Sequence, residues 1–262
     1  MTDTPILSVE GLQKTFGAVV AAKDIYVDVP AGQVIGVIGS NGAGKTAFVN
    51  MLTGYLKPSG GTIRFLGEDI TGITPRQAVH KGLTRSFQVS QVFMTLSVRQ
   101  NLLTALALAR RHGGAMLRPI TSPDLLEECD AILERYRLTD VEDNFASSLS
   151  QGSRKLLDIA MAVVSEPKML LLDEPTSGVA TEEKFAIMDT VMSALKASET
   201  TVLFIEHDME IVERYVDRVL AFFLGEVICD APPAEALVDP KVRELVIGET
   251  IPARLETETS HA

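Results

Sequence analysis

The segment Gly39-Ser-Asn-Gly-Ala-Gly-Lys-Thr46 carries the clearest chemistry in the chain. It fits the pattern G-x-x-x-x-G-K-[ST], in which glycines let the backbone fold closely around an oxyanion. Backbone N–H groups and the start of a following helix then face the anion. Gly39, Ser40, Asn41, Gly42, Ala43, Gly44, Lys45, Thr46 and Ala47 are therefore expected to line a phosphate-binding loop. Lys45 offers a cation to the β- and γ-phosphates of a nucleotide, and the Thr46 hydroxyl is a hard oxygen ligand for Mg2+.

A second constellation is Met169-Leu-Leu-Leu172 followed by Asp173-Glu174-Pro175. Four apolar residues leading into two carboxylates suit a buried strand that delivers them to its C-terminal end, where ligands sit in open α/β sheets. Asp173 is then placed to hold Mg2+ through water, and Glu174 to orient and partly deprotonate an attacking water. An acidic turn after a core strand is the plainer alternative. The phosphate loop in the same chain favours the chemical reading, because such a loop requires a carboxylate partner.

The elements that must position these groups are also visible. Val34–Ile38 is apolar at successive positions, as in a strand buried on both faces, and it runs directly into the glycine-rich loop. Ala47–Leu52 supplies the helix after it. Ile6–Val9, Ile25–Val29 and Thr62–Leu66 are short β-branched runs, punctuated by Pro30-Ala-Gly32 and Pro58-Ser-Gly-Gly61. From about Leu96 to Arg137 the pattern turns helical, in Asn101–Arg110 and Asp124–Arg135, with a break at Gly113-Gly114 and Pro119 to Pro123. A further helix is expected over Arg154–Ser165, and Met169–Leu172 and Thr201–Ile205 return to buried-strand composition. Strand–helix alternation around a helical middle predicts an α/β fold in one domain over 1–248. Its core would span about 1–88 and 155–230, with a helical insertion over about 89–154 and a flexible polar tail at 249–262.

Composition narrows the classes of function. The 262 residues are 46% hydrophobic and 23% charged, enough for a substantial core, which excludes disorder as the main state. Arg and Lys total 24 against 35 Asp and Glu, and the net charge of −11 argues against nucleic acid or an anionic membrane as a partner. Cys129 and Cys229 stand far apart without metal-type spacing and read as reduced thiols. No signal peptide is evident, and no apolar run approaches the ~20 residues needed to span a bilayer. Work at a membrane would require docking onto an embedded partner.

Further segments fall in order around the phosphate loop. Gln88 follows Thr84-Arg-Ser-Phe87, Leu149-Ser-Gln-Gly-Ser153 opens a helix, and His207 follows Thr201-Val-Leu-Phe-Ile-Glu206. Over about residues 6–248 this set resembles the nucleotide-binding subunit of ATP-binding-cassette (ABC) transporters. The resemblance implies a P-loop NTPase core of the ABC ATPase type, with an N-terminal antiparallel β subdomain and a helical insertion subdomain. It implies ATP and Mg2+ as cofactors. Phe16 would stack on adenine, and Gln88 would contact Mg2+ and the water while sensing the membrane partner. Thr46 and Asp173 would complete the metal site. Ser150 and Gly152, in the signature segment, would contact the nucleotide of an opposing subunit, and His207 would reach the γ-phosphate. Taken singly, Phe16 is more often a packed core ring, Gln88 a surface amide and Ser150 an ordinary N-cap, and His207 beside Glu206 and Asp208 reads as a helix start.

Two departures stand out. The usual signature is Leu-Ser-Gly-Gly-Gln, but its third and fifth positions are here Gln151 and Ser153. Ser177-Gly-Val-Ala180 ends in alanine where the family usually has Asp or Asn. Both lie on the surface offered to a partner's nucleotide, which implies a head-to-tail pair with a non-identical ATPase. Within the family, Arg85-Ser-Phe-Gln88, Val92-Phe93, Leu96–Leu103, Ile205-Glu-His-Asp-Met209 and Leu224-Gly-Glu resemble the branched-chain amino acid uptake branch. That branch implies two membrane-spanning permease subunits, an extracytoplasmic solute-binding protein acting indirectly, and a peripheral position on the cytoplasmic face of the inner membrane. An export or lipid-extraction cassette, or a soluble non-transport ABC ATPase, is the alternative. A single phosphate loop in 262 residues, without a long coiled coil, disfavours the soluble class.

Overall fold

A computed structural model describes residues 4–86, 92–110 and 121–248. The chain opens with two long strands, β1 (Leu7–Phe16) and β2 (Val19–Val29), joined at a tight turn. Next come β3 (Val34–Gly39), helix α1 (Lys45–Leu52), β4 (Gly60–Phe65), the short β5 (Glu68–Asp69), α2 (Pro75–His80) and β6 (Leu83–Ser86). The helical middle contains α3 (Val98–Ala109), α4 (Pro123–Arg135) and α5 (Gln151–Val163). The chain then alternates through β7 (Met169–Asp173), α6 (Thr181–Lys196), β8 (Thr201–Ile205), α7 (Met209–Tyr215), β9 (Arg218–Phe223) and β10 (Glu226–Ala231).

The strands form two sheets. One is antiparallel, in the order β2-β1-β4-β5; the other has six strands in the order β10-β9-β3-β8-β7-β6. In the second sheet, β6, β7, β8, β3 and β9 run parallel and only β10 is antiparallel. Side chains in its central strands alternate between two buried faces. Val34, Ile38, Leu170, Leu172, Val202 and Phe204 face the helical side. Ile35, Val37, Met169, Leu171, Leu203 and Ile205 face α1 and the antiparallel sheet. Burial on both faces explains why these strands read as continuous apolar runs.

β1 and β2 extend beyond the apolar runs predicted for them. Their outer ends pair across the turn, Phe16 opposite Val19, with side chains that stay exposed and so leave a weaker hydrophobic signal. α5 begins at Gln151 rather than Arg154 because the Ser150 Oγ accepts from the Ser153 N–H at 3.1 Å. α3 gains a full capping box from Ser97 and Gln100. Leu102, Leu106, Cys129 and Leu133 of α3 and α4 share one apolar cluster with α5, α6 and the helical face of the sheet. Helices α3, α4 and α5 are therefore packed onto the core, and the expected boundary near 154 falls inside α5. Among the described residues, no helix is long and apolar enough to cross a membrane.

Candidate nucleotide site

The glycine-rich loop leaves the end of β3 and re-enters the fold at α1. Gly44, the residue before α1, has φ 106°, and a Cβ there would sit 2.5 Å from the Ala21 carbonyl of β2. Only glycine permits both the left-handed conformation and that approach. The same corner ties the two sheets together: Gly225 N–H donates to the Ala43 carbonyl, and Lys23 N–H to the Gly225 carbonyl, both at 2.8 Å. The buried Lys45 Nζ donates to the carbonyls of Gly39 at 2.5 Å and Ser40 at 3.1 Å, folding the ammonium over the loop. Burial pushes its pKa down, while the nearby Glu174 and Asp173 carboxylates oppose that shift. Ser40, Asn41, Gly42 and Thr46 are exposed, Ala43 and Gly39 are buried, and Ala47 is half-buried.

Asp173 ends β7 as a buried carboxylate and Glu174 follows it, half-buried. Glu174 is held at φ 47°, in the left-handed region where a non-glycine residue is strained by an order of 1 kcal/mol or more. Its N–H donates to the Ile205 carbonyl at the end of β8, at 3.0 Å. The strand after it delivers His207, whose Nε2 lies 3.3 Å from Glu174 Oε1. Thus Lys45, Asp173, Glu174 and His207, spread over more than 160 residues of sequence, converge at the C-terminal ends of three adjacent parallel strands.

Sequence reasoning gave Arg85 no role of its own. On β6, its Nη2 pairs with Asp173 Oδ2 and its Nη1 with Asn50 Oδ1 on α1, both at 2.5 Å. Both members of the ion pair are nearly buried. A guanidinium inside the short strand Leu83–Ser86 is costly to bury unless a carboxylate meets it, which was the available signal. The brace links α1, β6 and β7, so it sets the Asp173 carboxyl relative to the helix that carries Thr46. Lys155 of α5 also reaches this region, its Nζ donating to the Asp173 carbonyl at 3.4 Å. Burial lowers the Lys155 pKa against the opposing pull of Asp158, Asp173, Glu206 and Glu174.

Phe16 ends β1 with 52% of its surface exposed and Lys14 Nζ 4.9 Å above its ring, so it is not a packed core ring. Gln88 lies outside the described residues. Ser150 is the exposed N-cap of α5; its Oγ accepts from the Ser153 N–H and donates to the Ser153 Oγ, both at 3.1 Å. Gly152 is buried where α5 crosses α6, and a Cβ there would come within 2.7 Å of Ile187 Cδ1. Gln151 leans over the loop after β7: a Cβ on Gly178 would lie 2.2 Å from its Oε1. Ala180 occupies the N-cap of α6 in extended conformation, with no side-chain cap. Ala180→Asp is expected to add that cap, stabilising the protein by about 1 kcal/mol and raising Tm by roughly 2–4 °C in a thermal melt.

A cavity of about 930 Å3, lined by residues including Ile132, Tyr136, Pro167 and Thr200, opens near the opposite, N-terminal ends of β7 and β8. It takes no part in the phosphate corner. At that corner Thr46 and Asp173 supply a hydroxyl and a carboxylate, both hard oxygen donors. Among the described residues, no cluster of three or more His, Cys, Asp or Glu could hold a metal by protein ligands alone. One hydroxyl and one carboxylate suit Mg2+, which usually takes few protein ligands and completes its shell with substrate phosphates and water.

The ABC transporter family profile matches residues 22–177, from β2 through the loop after β7. The chain belongs to the ABC transporter family. As a member it is an ATP-binding, ATP-hydrolysing cassette. It is 35% identical over 261 residues to a probable branched-chain amino acid transport ATP-binding protein of Methanocaldococcus jannaschii, covering 95% of this chain and 100% of that protein. It is 32% identical to the high-affinity branched-chain amino acid transport ATP-binding protein of Escherichia coli K12, covering 94% and 98% of the two chains. The crystal structure of the ADP conformation of an ATP-binding cassette of an ABC transporter superposes with TM-score 0.82 at 34% identity, covering 93% of this chain and 99% of that one. A nucleotide-free ATP-binding cassette superposes with TM-score 0.79 at 32% identity, with the same coverage.

Proposed function

We propose that this chain powers an ABC importer for branched-chain amino acids or a related small solute by hydrolysing ATP. The observation that carries the hydrolytic part is the contact between His207 and Glu174, set beside Lys45 and the phosphate loop. The solute class rests on the names of the two relatives above, which cover nearly the whole chain.

In this reading Phe16 stacks on adenine, and Gly39–Ala47 wrap the phosphates with Lys45 on the terminal pair. Thr46, Asp173 and Gln88 hold Mg2+, which when bound neutralises phosphate charge and helps polarise the γ-phosphoryl group. Glu174 orients the attacking water, and His207 donates a hydrogen bond toward the γ-phosphate, which a neutral imidazole can do. Removal of bulk water on closure strengthens each of these interactions.

The partners follow from the same reading. A second ATPase subunit docks head to tail, with the exposed Ser150 facing its nucleotide and the buried Gly152 letting α5 approach α6 behind it. Gln151, Ser153 and Ala180 make that contact unlike the usual one, which favours a non-identical partner. Two permease subunits hold the pair at the cytoplasmic face of the membrane, and an extracytoplasmic receptor delivers the solute. Residues 1–248 act as one ATPase domain, and 249–262 as a tail. The test is to isolate the assembled complex, identify its subunits and measure which solute stimulates its ATPase. Stimulation by leucine, isoleucine or valine in the presence of the receptor is expected. A complex without permease subunits, or one stimulated only by lipid, would overturn the proposal.

A further inference from the structure

Glu206 is 4% exposed, a buried carboxylate like Asp158 and Asp173 among the described residues, and its neighbours show why the site carries an acid. Its Oε1 accepts from the Thr176 hydroxyl at 2.7 Å and from the Thr176 N–H at 3.1 Å. Its Oε2 accepts from the His207 N–H at 3.0 Å. Thr176, 2% exposed, belongs to the turn after Glu174, whereas His207 belongs to the segment after β8. One side chain therefore joins the two segments that carry the facing groups Glu174 and His207.

Each of these bonds comes from a donor, and only a carboxylate presents acceptors on both arms. An amide would turn an N–H2 group against either Thr176 or His207. Burying the charge is costly, and the Lys155 ammonium beside it offsets part of that cost. The outer flank is fixed separately: Lys184 Nζ of α6 bonds the Asp208 carboxylate at 2.9 Å. The Glu206 N–H donates to the Val37 carbonyl of β3 at 3.3 Å, which anchors the clamp to the strand that feeds the phosphate loop.

We propose that Glu206 is a positioning residue for hydrolysis, a clamp that fixes the turn after β7 relative to His207 so that Glu174 and His207 face one γ-phosphate. The inference rests on the hydrolytic roles given above to Glu174 and His207. Its energetic basis is geometric, because misplacing a catalytic group by about 1 Å can cost on the order of 100-fold in rate.

The test compares Glu206→Gln, Thr176→Val and Thr176→Ser with the wild type in the full-length protein. Steady-state ATPase kinetics, ATP affinity by calorimetry and thermal melts are measured on each. Glu206→Gln is expected to lower kcat at least tenfold, with KM and ATP affinity within twofold of wild type. Thr176→Val is expected to lower kcat in the same way, whereas Thr176→Ser, which keeps the hydroxyl, restores it to within about threefold. A kcat within twofold of wild type in folded Glu206→Gln would overturn the clamp. So would a parallel fall in kcat, ATP affinity and Tm, which marks a purely structural residue. If Glu206→Gln does not fold, the Thr176 pair decides: equal kcat in the valine and serine variants rejects the proposal. Normal turnover in Glu174→Gln would instead reject the underlying catalytic assignment.

Discussion

Glu174→Gln is expected to bind ATP as tightly as wild type and to lose at least ~100-fold in turnover. An amide keeps the size of the side chain and one acceptor oxygen but cannot take a proton from water, and general-base catalysis is worth about 10²–10⁴ in rate. The backbone around it should survive, because the strained φ at Glu174 is held by its N–H bond to Ile205, which the substitution leaves in place. Phosphate release alongside calorimetry separates the two effects. ATP should accumulate on the variant and hold the paired cassettes closed. A variant with ordinary turnover would remove Glu174 from the chemistry, and one that also failed to bind ATP would point to a collapsed site.

Lys45→Ala should show the opposite profile. Loss of the cation beside the terminal phosphates is expected to weaken ATP binding by about 2–3 kcal/mol, or roughly 30- to 150-fold, since hydrogen bonds to charged groups are worth about 1.5–3 kcal/mol. The fold should tolerate the change. Burial already disfavours the Lys45 ammonium, so removing it relieves a desolvation cost that offsets the two lost bonds to Gly39 and Ser40. A titration with magnesium and ATP, paired with a thermal melt, checks both parts. Wild-type affinity in Lys45→Ala would mean that the loop does not grip the phosphates.

The two variants bracket a division of labour in the site. In the proposed reading Lys45 and the loop serve binding, which is local: a single stretch of backbone and the helix after it. In the same reading Glu174 and His207 serve turnover, which requires segments from β7 and β8 to be set against each other. Arg85 belongs to neither stretch, yet it fixes the Asp173 carboxylate from a third strand. That arrangement makes β6 a mechanical neighbour of Asp173, the carboxylate proposed to hold Mg2+.

The path of the glycine-rich loop was legible in the sequence because its residue pattern and its geometry share one contiguous segment. Glycines, lysine and threonine at fixed spacing, between an apolar strand and a helix, leave little to tertiary context. The same holds for the central strands, whose two buried faces force apolar residues at every position, and for the carboxylates at the end of Met169–Asp173. The order of motifs along the chain was enough to identify the family and the α/β architecture with its antiparallel sheet and helical part.

What the sequence could not state was which polar groups meet across the fold. Glu206 beside His207 reads as an acid near a helix start, but its carboxylate turns inward to Thr176, thirty residues away in sequence. Arg85 reads as part of a motif, yet its partners lie on α1 and β7. Phe16 taken singly reads more often as a packed core ring, and only the pairing of β1 with β2 at a turn leaves its ring in the open. Local pattern sets which residues lie in strands and loops, because backbone propensity and burial act along the chain. The register of parallel strands and the crossing of α5 over α6 set which side chains touch, and those depend on packing among segments that the sequence places far apart.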